Sequence, residues 1–255
     1  TADSNGAFSI TSSTLNVGSY SLTATATDAA GNISDASSTL SVTIQQYVFN
    51  TRVELDNAIN AWIADEAAAT STYGDINTWD VSAISDFSNL FGGRTTFNSD
   101  ISSWDVSNAS SLESMFDGAT SFNQDIGSWD VSLVINFREI FDDANSFNQD
   151  IGNWDVSSGT SFAKFFSNAG TFNQDISSWD VSNGTNFNEM FSDADSFNQD
   201  IRSWNVGSGT DFGAMFYNAD AFNQDIRSWN VGSGTDFWFM FFGADNMQNN
   251  YGFSA

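Results

Sequence analysis

The stretch Phe122–Ser146, FNQDIGSWDVSLVINFREIFDDANS, decides how the chain is read. Ile126, Trp129 and Val131 alternate with polar neighbours, and Asp130 falls between two of them. Alternation over so few residues predicts a short strand with the apolar side chains facing in. Phe137, Ile140, Phe141 and Ala144 then recur at i, i+3, i+4 and i+7, one face of a helix. Asn136 stands where a cap would be, with Glu139 three residues on, the spacing of a capping box. One unit therefore reads as a strand, a turn and a two-turn helix.

The unit recurs. Tryptophans occupy 79, 104, 129, 154, 179, 204 and 229, a constant period of 25. Repeats of this length predict stacked units, each touching only its neighbours. The expected fold class is α/β: a leucine-rich-repeat-type solenoid over residues 72–255, with parallel strands on one face and short helices on the other. The Trp row, the Phe row from Phe97 and the row from Phe87 to Phe237 read as core, because a narrow stack needs large apolar fillers. The Asn row (Asn98, Asn123, Asn148, Asn173, Asn198, Asn223) reads as stacked hydrogen bonding to turn backbone.

Two other segments precede the repeats. Residues 1–44 are rich in Thr, Ser, Ala and Val, with period-two runs over Tyr20–Ala26 and Leu40–Ile44. They predict three short strands, about half of a sandwich domain. Residues 45–71 form a linker and a helix over 51–69, with Leu55, Ala58, Ile59, Trp62 and Ile63 at helical spacing. Its place before the first repeat suits a cap on the first core layer.

Composition limits the chemistry. The 255 residues carry 32 acidic and 6 basic side chains, a net charge of -26. Such a surface repels nucleic acid and anionic lipid and suits cations. Neither cysteine nor histidine is present, which removes thiol chemistry, the usual base of Ser/His/Asp catalysis and the commonest transition-metal ligand. No apolar run is long enough to span a membrane. No secretory signal pattern stands at Thr1, although a fragment cut from a longer chain would show none either.

Four sets of residues stand out as candidate sites. The first is the unbroken row Asp100, Asp125, Asp150, Asp175, Asp200 and Asp225, led by Asp75. Carboxylates about 5 Å apart repel by roughly 0.8 kcal/mol in bulk water, so something offsets that. Either each Asp accepts N–H bonds within its own turn, or calcium bridges adjacent units through carboxylates and turn carbonyls. Oxygen ligands are the kind this chain offers in quantity, so calcium is the cofactor to expect. The second set is a prospective ligand face: Asp130, Asp155 and Asp180, then Asn205 and Asn230, where Arg202 and Arg227 also enter. A neutral drift of surface charge is the competing reading.

The third set lies on the last repeat helix. Phe237, Met240 and Phe241 should face in, leaving Trp238, Phe239 and Phe242 outside, with Tyr217 at the matching position one unit back. Large apolar side chains on a wet face usually mark a contact. The C-terminal tail, a second copy of the chain in a homodimer, and a small ligand are the three candidates to cover them. The fourth set is the Trp and Phe rows themselves, which would serve as a glycan platform if they faced outward.

The pattern W-D-V-S, then an apolar residue followed by M-F, then A-x-x-F-N-Q-D-I, resembles the BspA-like, Phe- and Trp-rich leucine-rich repeats of bacterial and mycoplasma surface proteins. Tyr73–Ser82, YGDINTWDVS, resembles the opening of such arrays. Residues 1–44 resemble the end of an Ig-like repeat of a large bacterial adhesin. The resemblance implies a secreted or cell-surface location and binding of a protein or glycan, with no catalytic motif. A structural spacer or calcium-stabilised oligomerisation segment in an adhesin stalk is the second reading. An enzyme is the least supported, since the carboxylates lie in rows and do not converge as an isolated pair.

Overall fold

The computed structural model describes residues 18–251, and these fall into two compact units divided between Tyr47 and Val48. In the first unit, β1 (Gly18–Leu22) pairs antiparallel with β2 (Leu40–Ile44), Gly18 opposite Ile44 and Leu22 opposite Leu40. The alternation through Ala24 and Ala26 does not extend β1. Their N–H groups donate to the Ser37 and Ser34 hydroxyls instead, so serine side chains replace a strand partner. A single bridge, Thr27 to Ile33, closes the turn between them. The described part thus has two strands and one bridge where three strands were expected; residues 1–17 lie outside the described residues.

The second unit begins with a cap. Phe49 is buried, and its N–H donates to the Asp80 carbonyl. Helix α1 (Arg52–Ala64) starts from a Thr51/Glu54 capping box. The single helix expected over 51–69 is two, because Asp65 leaves helical geometry and caps α2 (Glu66–Tyr73) through its side chain. Leu55, Ala58, Ile59 and Trp62 bury one face of α1, while Ile63 stays partly exposed. Phe49, Trp62 and Tyr73 close around Trp79 at ring distances of 5.0, 5.8 and 5.8 Å.

Seven successive coils then stack in register. Parallel bridges join Asp86, Ser111, Asn136, Ser161, Asn186, Asp211 and Asp236, each one residue long. The faces expected for the repeat are correct: Ile126, Trp129, Val131, Phe137, Ile140, Phe141 and Ala144 are all buried. The elements are not those expected. Residues 137–144 form no helix, and the stretch around Trp129 forms no strand.

The reason is where the hydrogen bonds go. The N–H groups of Phe137, Glu139, Phe141 and Asp143 donate forward to the carbonyls of Ser161, Ala163, Phe165 and Ser167 in the next coil. The intervening Ile140, Asp142 and Ala144 donate to carbonyls three residues back. Glu139 and Asp143 have φ of 58° and 55°, a left-handed geometry that no right-handed helix tolerates. Asn136 is accordingly no helix cap; its Oδ1 accepts from Arg138 N across one turn.

The core is a set of ring columns. Phe91, Phe116, Phe141, Phe166, Phe191, Phe216 and Phe241 stack at 5.5–5.9 Å. Phe97, Phe122, Phe147, Phe172, Phe197 and Phe222 do so at 5.9–6.2 Å. The row tryptophans from Trp79 to Trp229 are buried beside them, so the Trp and Phe rows, Phe237 apart, are core and present no glycan platform. From Trp104 to Trp229, each indole Nε1 donates to an isoleucine carbonyl of the preceding coil at 2.8–3.3 Å. Among the described residues, no buried side-chain N or O lacks a partner. The Asn row forms the expected ladder: each N–H from Asn123 to Asn223 donates to Oδ1 of the asparagine one coil before, at 2.9–3.0 Å. Helix α3 (Asp245–Tyr251) comes after the last coil and buries Met247.

Candidate functional site

Each coil turns at three corners built by short polar side chains. The first corner is the aspartate row. Oδ1 of Asp75, Asp100, Asp125, Asp150, Asp175, Asp200 and Asp225 accepts the N–H two residues on, at 2.9–3.2 Å. The Ser177 side chain, then its backbone N–H, holds the Asp175 carboxyl below the usual carboxylate range. The row thus has a local cause: a carboxylate satisfying a tight turn. Calcium asks for six to eight oxygens. Among the described residues no group of three or more His, Cys, Asp or Glu side chains is placed to hold a metal ion.

The second corner is the prospective ligand face. Oδ1 of Asp130, Asp155 and Asp180 accepts from Ser132, Ser157 and Ser182 N at 3.0 Å. Asn205 and Asn230 accept from Gly207 and Gly232 at 3.2 Å. An amide oxygen does the work of a carboxylate oxygen there, so the change from Asp to Asn leaves the turn intact. Serine side-chain bonds hold Asp130 and Asp180 low as well.

Arg202 and Arg227 do not join that corner. Arg202 Nε and Nη2 reach Asp200 at 2.8 and 2.6 Å. Arg227 Nε and Nη2 reach the two oxygens of Asp225 at 2.8 and 2.7 Å. The Arg227 side-chain bond, ahead of its backbone bond, lowers the Asp225 carboxyl to about 2. The guanidinium of Arg227 also lies 5.4 Å from the Tyr251 ring centre. The structure therefore groups these arginines with the end of the aspartate row. The spacing of two residues, one turn wide, was the signal for it.

The third corner opens the face that carries the positions 113, 138 and onward. In the middle coils this face is charged. Arg138 pairs with Glu113 at 3.0 Å and with Glu139 at 2.5 Å, and Lys164 lies 3.6 Å from Glu189. Burial pushes the Asp117 and Asp142 carboxyls up. At the last coil the same columns turn aromatic. Trp238 stacks on Phe239 at 4.1 Å, Phe239 meets Phe242 at 5.1 Å, and Phe242 stacks on Tyr217 at 5.4 Å. The four rings expected to group do so. Trp238 is 70% exposed, Phe242 41% and Phe239 37%.

Phe239 also holds φ at 56°. The equivalent position is left-handed in every coil, from Asn89 to Ala214, so Phe239 adopts a geometry that the repeat imposes. The tail does not cover it as far as Tyr251. Asn246 Nδ2 donates to Asp220 O, Gln248 Nε2 to Phe241 O and Asn250 Nδ2 to Asn223 Oδ1.

Phe237 was expected inside. Its column mates Phe137, Phe162, Phe187 and Phe212 are fully buried, and each stacks on the next at 5.3–5.6 Å, but Phe237 is 40% exposed. The difference is positional: the outer side of its ring has no coil against it.

Comparison with known proteins adds two matches. A family described as "Mycoplasma protein of unknown function, DUF285" matches residues 64–172 and 151–253. A bacterial Ig-like domain matches residues 1–46. No curated protein and no solved structure matches. Among the described residues no helix is long and apolar enough to cross a membrane.

Proposed function

The chain belongs to the DUF285 family of Mycoplasma proteins, and from that premise we propose that it is a non-catalytic binding module of a large bacterial surface adhesin. The coil stack is a solenoid of leucine-rich-repeat type, and the Ig-like segment ahead of it joins it to the rest of the adhesin. The partner is a protein or a glycan on another cell or surface. The observation that carries this reading is the cluster Tyr217, Trp238, Phe239 and Phe242, exposed at the end of an otherwise charged face. A spacer has no use for an exposed phenylalanine beside an exposed tryptophan. A foreign partner suits the patch better than a second copy, because two copies each bring a charge of -26. Turn-bound carboxylates and the absence of histidine and cysteine support a role without catalysis.

The test is a binding screen of the chain and of Trp238→Ser/Phe242→Ser against cell-surface proteins and glycans. We expect binding to fall at least about tenfold, the equivalent of ~1.4 kcal/mol, in the double variant at unchanged melting temperature. Equal binding by both chains would remove the patch from the site. No binding by either would favour the stalk spacer, and sedimentation as a dimer would give the patch to a second copy.

A further inference from the structure

The asparagine ladder is finished differently at its two ends. Inside the stack each asparagine Oδ1 takes two donors from the coil that follows. From Asn98 to Asn198 it accepts the next asparagine N–H and the Nε2 of the glutamine beside it, at 2.9–3.0 Å. At the last coil Asn223 Oδ1 accepts from Asn250 Nδ2 at 2.7 Å, so a carboxamide of the chain itself closes the row. At the first coil no asparagine precedes Asn98. Tyr73 stands 25 residues before it, and its ring packs against Trp79. The Asn98 N–H donates to no acceptor among the described residues.

A pocket lies at that first step. It has a volume of about 190 Å³ and sits where the break between α1 and α2 meets the first coil, with Trp62, Ile63, Glu66, Phe97, Asn98 and Ser99 in its walls. The sequence departs from the repeat there. Ser99 holds the position of Gln124, Gln149, Gln174, Gln199 and Gln224. Its Oγ accepts from Trp62 Nε1 at 3.0 Å, which leaves its O–H to donate. The Asn98 N–H and the Ser99 O–H thus repeat the pair of donors that every later coil sets against an amide oxygen. Glu66 adds an acceptor, since its carboxylate has no hydrogen-bond or ion-pair partner among the described residues. Ile63, 37% exposed, adds an apolar wall.

We propose that this pocket binds the acetamido group of an N-acetylated sugar. The carbonyl oxygen of the group takes the place of the missing asparagine Oδ1, its N–H donates to Glu66, and its methyl lies on Ile63. An apolar wall with a few convergent polar groups is the usual make-up of a small-molecule site. The volume falls below the roughly 300–1,000 Å³ of drug-sized pockets, which suits one sugar ring and not a length of chain. The carboxamide of an asparagine or glutamine side chain would use the same donors and acceptor but brings no methyl for Ile63, so the sugar is the better match. These residues are separate from the aromatic patch of the adhesin reading, so either site can fail alone.

The test is nuclear magnetic resonance of the full chain with three probes. N-acetylglucosamine carries the acetamido group, glucose lacks it, and propionamide stands for a side-chain carboxamide. We expect the Asn98 amide signal to move saturably with N-acetylglucosamine at millimolar concentration and to stay in place with glucose. Glu66→Ala should weaken that binding about tenfold, the loss of a hydrogen bond to a charged acceptor. Trp238→Ser/Phe242→Ser should leave it unchanged. An Asn98 signal that stays in place, or that moves alike with glucose, overturns the proposal, and so does binding undiminished by Glu66→Ala. Tighter binding of propionamide than of N-acetylglucosamine overturns the sugar and gives the pocket to a protein side chain.

Discussion

At its N-terminal end the stack is closed by a 13-residue helix, three rings around Trp79 and an arginine on the first two carbonyls. At its C-terminal end a seven-residue helix follows the last coil, and Phe237 stays 40% exposed. A repeat array exposes two surfaces that its neighbours would otherwise bury, and solubility requires something over each. Here one end is finished as a cap and the other only partly. The difference places stability at the first end and the proposed recognition by the aromatic patch at the second.

The sharpest way to break that contrast is to compare a ring inside the stack with one at the open end. Trp154→Ala empties a buried site between two coils and should cost ~3–5 kcal/mol. Phe237→Ala, in a half-open site, should cost less than half as much. Urea unfolding of both variants reads the difference, and equal losses would mean that Phe237 is buried in solution.

Next in size is the carbonyl plug. Arg52→Met keeps the aliphatic stem and removes the donors to Asp86 O and Ser88 O. The loss should be about 1–3 kcal/mol. Asn246→Ala, which removes an exposed bond at the other end, should stay within about 0.5 kcal/mol. A reversed order in melting temperature would contradict the assignment of α1 as the closing element.

The inward faces were legible because burial obeys spacing whatever the backbone does. Phe137, Ile140, Phe141 and Ala144 face in from a run of turns as they would from a helix. The backbone itself was misread, since the i, i+3, i+4 pattern cannot separate a helix from tandem turns of similar pitch. One clue was present. The second left-handed position of each coil holds Gly93, Gly118, Asp143, Asn168, Asp193, Asn218 and Gly243, residue types that accept positive φ. The other left-handed position gives no such sign, for it holds Glu139, Lys164 and Phe239 alike. The aromatic patch was legible as a break in a charged column. The exposure of Phe237 and the plug by Arg52 were not, because both depend on which surface lacks a neighbour.

The smallest effect expected is that of calcium. With each Oδ1 of the aspartate row committed to its own turn, millimolar calcium against chelator should move the melting temperature by no more than about 1–2 °C, through screening of the net charge. A rise of several degrees would show a bound ion and would make calcium a bridge between coils.

The in-register ladder of Asn123 to Asn223 has a consequence for how such a chain varies over generations. Each asparagine accepts from its successor the same bond that it donates to its predecessor. Interior coils are therefore interchangeable in their contacts. A slip of one whole repeat in the coding sequence would lengthen or shorten the array while rebuilding every junction, with the plug at one end and the aromatic patch at the other unchanged. The distance between those two ends can thus drift in fixed steps without either being reinvented.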